Sequence, residues 1–329
     1  MQESPSWRAL LGQSIRDPQE RQRIARELGV NPITLTRWVN NEATPRPRNL
    51  LRLPDVLPLH RTMLGESIAK EVTDLTLVEE VTEDTSQGIP YEFYERVLRT
   101  RASIPKRLRF LSLADLILQQ ALAQLDPYRL GLAVIVVQCM PPREGNQICS
   151  LRESVGRGTA PWESDLGPQA ILLGAESLAG HAVTTDRLVV NQNLREEGSR
   201  FPAYRGVWEE SAAACPITLE GAIAGSLLVS SVRPNYFVPS RLGLVQSYAD
   251  LIALAFGPEE FYEPERIVLR LVPPQDEQQP WLSSFRQRLI ETITQAAKSG
   301  HPLDSMQAEQ RVWQQFEEQL LQRAYHREE

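Results

Sequence analysis

Residues 22–41 read QRIARELGVNPITLTRWVNN, and two short helices joined by a tight turn are written into them. Ile24, Ala25 and Leu28 recur at helical spacing on one face, Gly29 is placed to take the positive φ of a helix C′ position, and Val30 extends the apolar contact. Asn31 then supplies an N-cap oxygen and Pro32 stands at the first helical position, where its missing N–H costs nothing. A second helix therefore starts within a few residues of the first. In it Leu35 and Trp38, three apart, point inward, which leaves Pro32, Ile33, Thr34, Thr36 and Arg37 near an outer face that a DNA major groove can receive.

The run from Ala25 to Trp38, AREL-GVNP-ITLTRW, resembles the helix-turn-helix of the Cro and lambda-repressor-like family. That family's pattern is Ala, then Leu-Gly-Val-Ser, then Thr-Ile-Ser-Arg-Trp-Glu, so Asn31 takes the usual Ser position and Val39 stands where Glu is common. Asn41 to Leu51 resembles the same family's loop into a fourth helix, and the resemblance covers roughly the first 65 residues. One departure is Arg21, where the family often has a Gln that touches the DNA backbone; an arginine can hold a phosphate in its place. The resemblance implies double-stranded DNA as partner, met by Arg21, Asn31, Pro32, Ile33, Thr34, Thr36 and Arg37. Arg46 and Arg48, separated by prolines beyond the second helix, are placed for phosphates. A helical hairpin that only packs, or one that binds protein, would use the same residues.

With 329 residues, 42% of them hydrophobic, the chain has material for two domains with ordinary cores. The net charge of −7 is unevenly spread: residues 1–70 hold eleven Lys or Arg against seven acids, a surplus of four, which leaves −11 for the rest. A small DNA-facing head on an acidic body fits that asymmetry, and so does an ordinary solvated surface. Cys139, Cys149 and Cys215 form no C-x-x-C pair and there are four histidines, so no familiar zinc framework can be assembled. Unpaired cysteines, the absence of a basic-then-apolar leader and the lack of an 18-residue apolar run predict a cytoplasmic protein outside the membrane.

In chain order, Trp7 to Ile15 predicts a covering helix, Asp17-Pro18-Gln19-Glu20 a capped helix start, and five helices fit before Lys70. The acidic, Thr-rich stretch from Glu71 to Gly88 reads as a linker, with residues 71–104 carrying it into a connecting segment. Tyr91 to Leu125 has apolar residues at helical spacing and is the candidate dimerisation helix, although packing on the following sheet would serve as well. Gly131 to Met140 predicts a central strand, Gln147 to Val155 its partner, and Ala170 to Ala182 a helix ending near Gly180. Ser211 to Thr218 and Gly221 to Val232 predict a hairpin turning at Glu220-Gly221, and Pro239 to Phe256 a closing helix.

The segment from Ser177 to Leu194, together with that hairpin and closing helix, resembles a GAF domain over roughly residues 105–257. An unrelated antiparallel α+β domain would also carry this order. Two more helices, near 281–299 and 302–326, form a C-terminal extension, the second with a stripe that includes Trp313, Phe316 and Leu320. The expected fold is α+β: an all-α head at 1–70, an antiparallel-sheet α/β/α sensor at 105–257 and C-terminal helices at 258–329.

The GAF resemblance implies a pocket between the sheet and the loops crossing it, with Arg152, Trp162, His181, Asn191, Tyr204 and Trp208 as its candidate polar and aromatic residues. Core anchoring, helix capping or solvent contact are their competing roles. No cofactor is indicated: the Asn-Lys…Phe…Asp-Glu pattern of cyclic-nucleotide sensors is missing, no Cys-His pair offers bilin attachment, and His181 alone does not make a haem site. A further GAF branch, the free methionine sulfoxide reductases, uses three cysteines, but here they fall in predicted strands where they act as small hydrophobes. The expectation is a homodimeric, ligand- or signal-responsive transcription regulator without enzyme activity. The alternative is an adaptor whose head binds protein and whose GAF-like domain is a dimerisation scaffold.

Overall fold

The computed structural model describes residues 6–43, 45, 49–50, 53, 56–57, 88–142, 147–167, 171–194, 208–299 and 301–325. The chain divides into two compact units, Met1–Gln87 and Gly88–Glu329.

The first unit contains helices α1 (Trp7–Ser14), α2 (Pro18–Leu28) and α3 (Pro32–Val39). Each boundary is made by a local signal. Asp17 accepts the Gln19 N–H at 2.9 Å and Pro18 opens α2. Gly29, at φ 68°, closes it in a Schellman arrangement in which the Val30 N–H reaches the Ala25 carbonyl and the Gly29 N–H the Arg26 carbonyl. Trp7, Leu11, Ile24, Leu28, Leu35 and Trp38 are buried, with α1 and α2 both against α3. Arg23 bridges Glu20 and Glu27 and donates to the Val56 carbonyl at 2.9 Å, which ties α2 to the segment after α3. Residues 49–50, 53 and 56 are helical and Leu50, Leu53, Val56 and Leu57 are buried. The remainder of the five-helix expectation, and nearly all of the linker from Glu71 to Gly88, lie outside the described residues.

The second unit is built on a six-stranded antiparallel sheet ordered β3-β2-β1-β6-β5-β4, with β1 (Leu132–Cys139), β2 (Leu151–Gly158), β3 (Leu172–Leu173), β4 (Val189–Asn191), β5 (Ser211–Leu219) and β6 (Ala222–Ser231). Glu220 and Gly221, at φ 54° and 83°, make the two-residue turn between β5 and β6. Helices α4 (Tyr91–Ser103), α5 (Lys106–Leu125) and α7 (Pro239–Ala253) lie on one side. There Val134, Val136, Cys215 and Ile217 share a cluster with Ile117, Ala121, Tyr248 and Ile252. Helix α6 (Leu178–Thr185) covers the other side, where Ile135, Val137, Ala212 and Ala214 meet Leu178, Ala182 and Val183. Both sheet faces are therefore dry, which is why β1 reads as an unbroken apolar run. Helices α8 (Gln275–Lys298) and α9 (Ser305–Tyr325) pair through Phe285, Trp313 and Phe316 and pack onto Met140 and Leu172.

Three expectations need correction. Tyr91 to Leu125 is two helices, because Ile104, ahead of Pro105, is forced to an extended ψ of 135°. Ala170 to Ala182 is not one helix: Leu172 and Leu173 form an edge strand paired with Arg152 and Leu151, and the helix starts at Leu178. Gly180 lies inside α6 instead of ending it, where an added Cβ would come within 2.0 Å of the Gly174 carbonyl oxygen. The helix stops at Asp186, which takes the left-handed conformation. Among the described residues no helix is long and apolar enough to cross a membrane.

Candidate functional site

In the first unit the outer face of α3 is the site the sequence points to. Asn31 starts the helix by accepting the Ile33 N–H at 3.0 Å, and the Glu42 and Ala43 N–H groups close its end on the Arg37 carbonyl. Leu35 and Trp38 fix the inner face, so Ile33, 69% exposed, and the exposed Arg37 project outward, flanked by half-buried Pro32, Thr34 and Thr36. Arg21 is half-buried on α2. Arg23 is committed to Glu20 and Glu27, and their carboxylates hold its guanidinium firmly protonated. Arg46 and Arg48 lie outside the described residues.

In the second unit a small, mostly apolar cavity lies between α6 and the sheet, lined by Leu173, Ser177, Leu178, Ala179, Leu194, Glu209, Ala212 and Leu228. It has room for about one water molecule. Its walls are fixed by polar contacts. Ser177 caps α6, accepting the Gly180 N–H at 2.9 Å while donating to the Gly174 carbonyl at 2.8 Å. Glu176 anchors the same turn by accepting from Gly174 and Val272, and burial pushes its carboxyl above the usual range. Glu209 is buried and accepts a hydrogen bond from the Ser230 hydroxyl.

None of the described candidates lines this cavity, and Asn191 is joined to it only through its strand partner Ala212. It is buried on β4 opposite Ala212, and its Oδ1 accepts the Asn193 N–H at 3.1 Å. Its Nδ2 is shielded from water and has no hydrogen bond among the described residues, an arrangement that favours an acceptor arriving from elsewhere. Trp162 packs on the same sheet face but sits beside Gly158. Trp208, next to Glu209, is 55% exposed. His181 is exposed on α6, away from the buried Leu178, Ala182 and Val183. Arg152 points to α9, where it pairs with Glu309 at 3.4 Å and lies over the Trp313 ring. Tyr204 lies outside the described residues.

Glu209, Ser177 and Ser230 escaped the sequence reading. The available signal was polar residues interrupting runs that are otherwise apolar: Ser226 and Ser230 alternate along β6, and an acid stands two residues before β5.

The cysteines occupy separate surroundings. Cys139 belongs to the α6 side of the sheet and Cys215 to the α5 side, and burial pushes both thiols up to about 12. Cys149 is half-buried and precedes β2, a correction to its expected place within a strand. A group with its pKa near 12 is thiolate to about one part in ten thousand at pH 8. Iodoacetamide at that pH should therefore modify Cys149 well before the other two in folded protein, and mass mapping of the adducts measures this; equal labelling of all three would contradict the burial. Among the described residues no cluster of three His, Cys, Asp or Glu is placed to hold a metal.

Residues 110–256 match the family model of the GAF domain. Among solved structures, the chain is similar to the GAF domain of an Acinetobacter phosphoenolpyruvate-protein phosphotransferase at 14% identity, covering 50% of this chain and 90% of that one with a TM-score of 0.36. It is similar also to the type II free methionine-R-sulfoxide reductase of Thermoplasma acidophilum, at 18% identity, 48% and 98% coverage and a TM-score of 0.33. A third is the GAF domain of a Coxiella burnetii phosphoenolpyruvate-protein phosphotransferase, at 11% identity, 49% and 89% coverage and a TM-score of 0.35. No curated protein matches the chain. The family match, with the α/β/α layering and strand order in place, supports a GAF domain over residues 110–256 of this chain.

Proposed function

We propose that this is a cytoplasmic, ligand- or signal-responsive DNA-binding transcription regulator, in which the N-terminal helix-turn-helix reads DNA and the GAF domain senses. The observation that carries the reading is α3: a helix capped by Asn31, anchored by Leu35 and Trp38, and presenting Ile33 and Arg37 to solvent beside the half-buried Thr36. That face combines an apolar side chain suited to a thymine methyl with a hydroxyl and a guanidinium suited to base edges and phosphates. Homodimerisation belongs to the same reading, since paired heads match paired half-sites. The cavity beneath α6, with Ser177 and Glu209 as its polar lining, is the proposed place of ligand entry, where a ligand larger than the single water it has room for would have to widen it.

The test is binding of the full chain to genomic fragments over a salt series. Arg37→Ala and Thr34→Ala should each lower affinity for the preferred fragment by about 1–3 kcal/mol, whereas Arg21→Ala should weaken all sequences alike and reduce the salt slope by about 1. Preferred-site binding unchanged in both α3 variants would discard this face. No DNA affinity at any salt concentration would favour the adaptor reading, for which the exposed Ile33 is an equally suitable protein contact.

We do not read the chain as an enzyme. Cys139 and Cys215 lie on opposite faces of the sheet with their thiols held protonated, which suits neither a nucleophile nor a resolving partner. Turnover of free methionine sulfoxide by the purified chain would reverse that judgement.

A further inference from the structure

We infer that α4 is the seat of an antiparallel contact between two copies of this chain. Phe93 and Val97 already fasten α4 to the rest of its unit. Yet Tyr91, Tyr94 and Leu98, at i, i+3 and i+7, form a second apolar stripe on the solvent side, Tyr91 being 77% and Leu98 57% exposed. Isolated exposed apolar residues need no explanation, but a stripe of two tyrosines and a leucine at helical spacing has the composition of an interface core.

The charges along the helix say what covers it. Glu92, Glu95 and Arg96 lie in the first half of α4, and Arg99 and Arg101 in the second. A parallel copy would set acid against acid and base against base. An antiparallel copy, with the two-fold axis near Arg96, sets Glu92 and Glu95 near the partner's Arg99, all three on the same flank of the stripe, and Tyr94 against the partner's Leu98. The helix macrodipoles then oppose each other favourably. The intrahelical pair of Arg99 with Glu95 is exposed on both sides, so exchanging it for an intermolecular one costs little. A contact made by one thirteen-residue helix and its copy lies at the low end of interface sizes, so the association is modest. The inference takes from the proposed function only that the chain is a dimer, and it does not depend on DNA.

The test is made on the full chain without DNA. Leu98→Glu, at an exposed position that spares the fold, places two unpartnered carboxylates in the contact. It should raise the dimer dissociation constant about a hundredfold in sedimentation equilibrium, tenfold for each copy. Orientation is read by oxidative cross-linking against the wild-type background. Glu95→Cys, one residue from the axis, should cross-link, while Ala102→Cys should not, because six residues from the axis separate it from its copy by roughly 18 Å along the helix. Cross-linking of both variants would mean a parallel contact and overturn the inference, as would cross-linking of neither. A wild-type monomer at about 100 μM, or Leu98→Glu associating as wild type does, would overturn it as well. Because neither readout involves DNA, failure here leaves the DNA-binding proposal to its own test.

Discussion

Replacing Gly225 with alanine is expected to cost the second unit on the order of 4 kcal/mol or more, an effect among the largest a single methyl group can produce. Gly225 sits in β6 at φ 150°, opposite Gln138 of β1, and follows the bulged Ala224 where the pairing with β5 shifts register. A Cβ built there lies 1.9 Å from the Val137 carbonyl oxygen and 2.9 Å from the Gln138 Cα, both backbone atoms of the central strand. No rotamer change relieves such an overlap, so β1 and β6 must part at the middle of the sheet. The backbone strain of a non-glycine residue at this φ adds about 1–3 kcal/mol. Gly221 supplies the comparison, since it lies in the turn at the end of the same strand with φ 83° and nothing within 4 Å of its added Cβ. Gly221→Ala carries strain without collision and should cost about 1–2 kcal/mol. Urea unfolding of both variants measures the difference, and equal midpoints would refute the collision account.

Trp38→Ala should unfold the first unit while leaving the second intact. The indole is buried between α3 and the helices around it, and truncating a buried tryptophan costs about 3–5 kcal/mol. A unit of 87 residues or fewer holds a correspondingly small reserve, so a loss of that size removes most of its stability. Ile33→Ala on the same helix, at a position 69% exposed, should change stability by less than about 0.5 kcal/mol. Limited proteolysis followed by mass analysis separates the outcomes. Trp38→Ala should yield a resistant fragment beginning near Gly88 with the head digested, and Ile33→Ala should behave as wild type. A head that resists protease in Trp38→Ala would mean that α3 is held by contacts other than this indole. Under the proposed function the two variants also separate fold from recognition: the first loses DNA binding with its structure, the second through its contact face alone.

The readable parts of this chain are those whose causes lie a few residues apart. The caps at Asp17 and Asn31, the left-handed Gly29 and the Glu220-Gly221 turn are settled by neighbouring backbone groups, so α2, α3 and the β5–β6 hairpin could be placed within a residue or two from the sequence. Their inward faces followed from spacing, and Leu35, Trp38 and the apolar run of β1 are buried as the pattern requires. Pro105 was also a local signal, and the apolar periodicity running across it obscured the break between α4 and α5.

The tertiary structure decided what depends on distant partners. Leu172 and Leu173 have the composition of a helix and became an edge strand because β2 offered hydrogen bonds. Arg152 looked available for a ligand until Glu309 and Trp313, more than 150 residues later, enclosed it. Glu209 and Ser230 meet only when the residues just ahead of β5 reach β6, and Asn191 meets the cavity-lining Ala212 only by strand pairing. By itself the sequence determined the helix starts, the turns and the alternation of faces, because those are fixed by the backbone's own hydrogen bonds and side-chain period. Which polar side chains surround a cavity and which are enclosed by neighbouring helices was decided by the closing of the sheet and its layers, since burial, pKa and unsatisfied donors exist only once residues far apart in the chain displace water from one another.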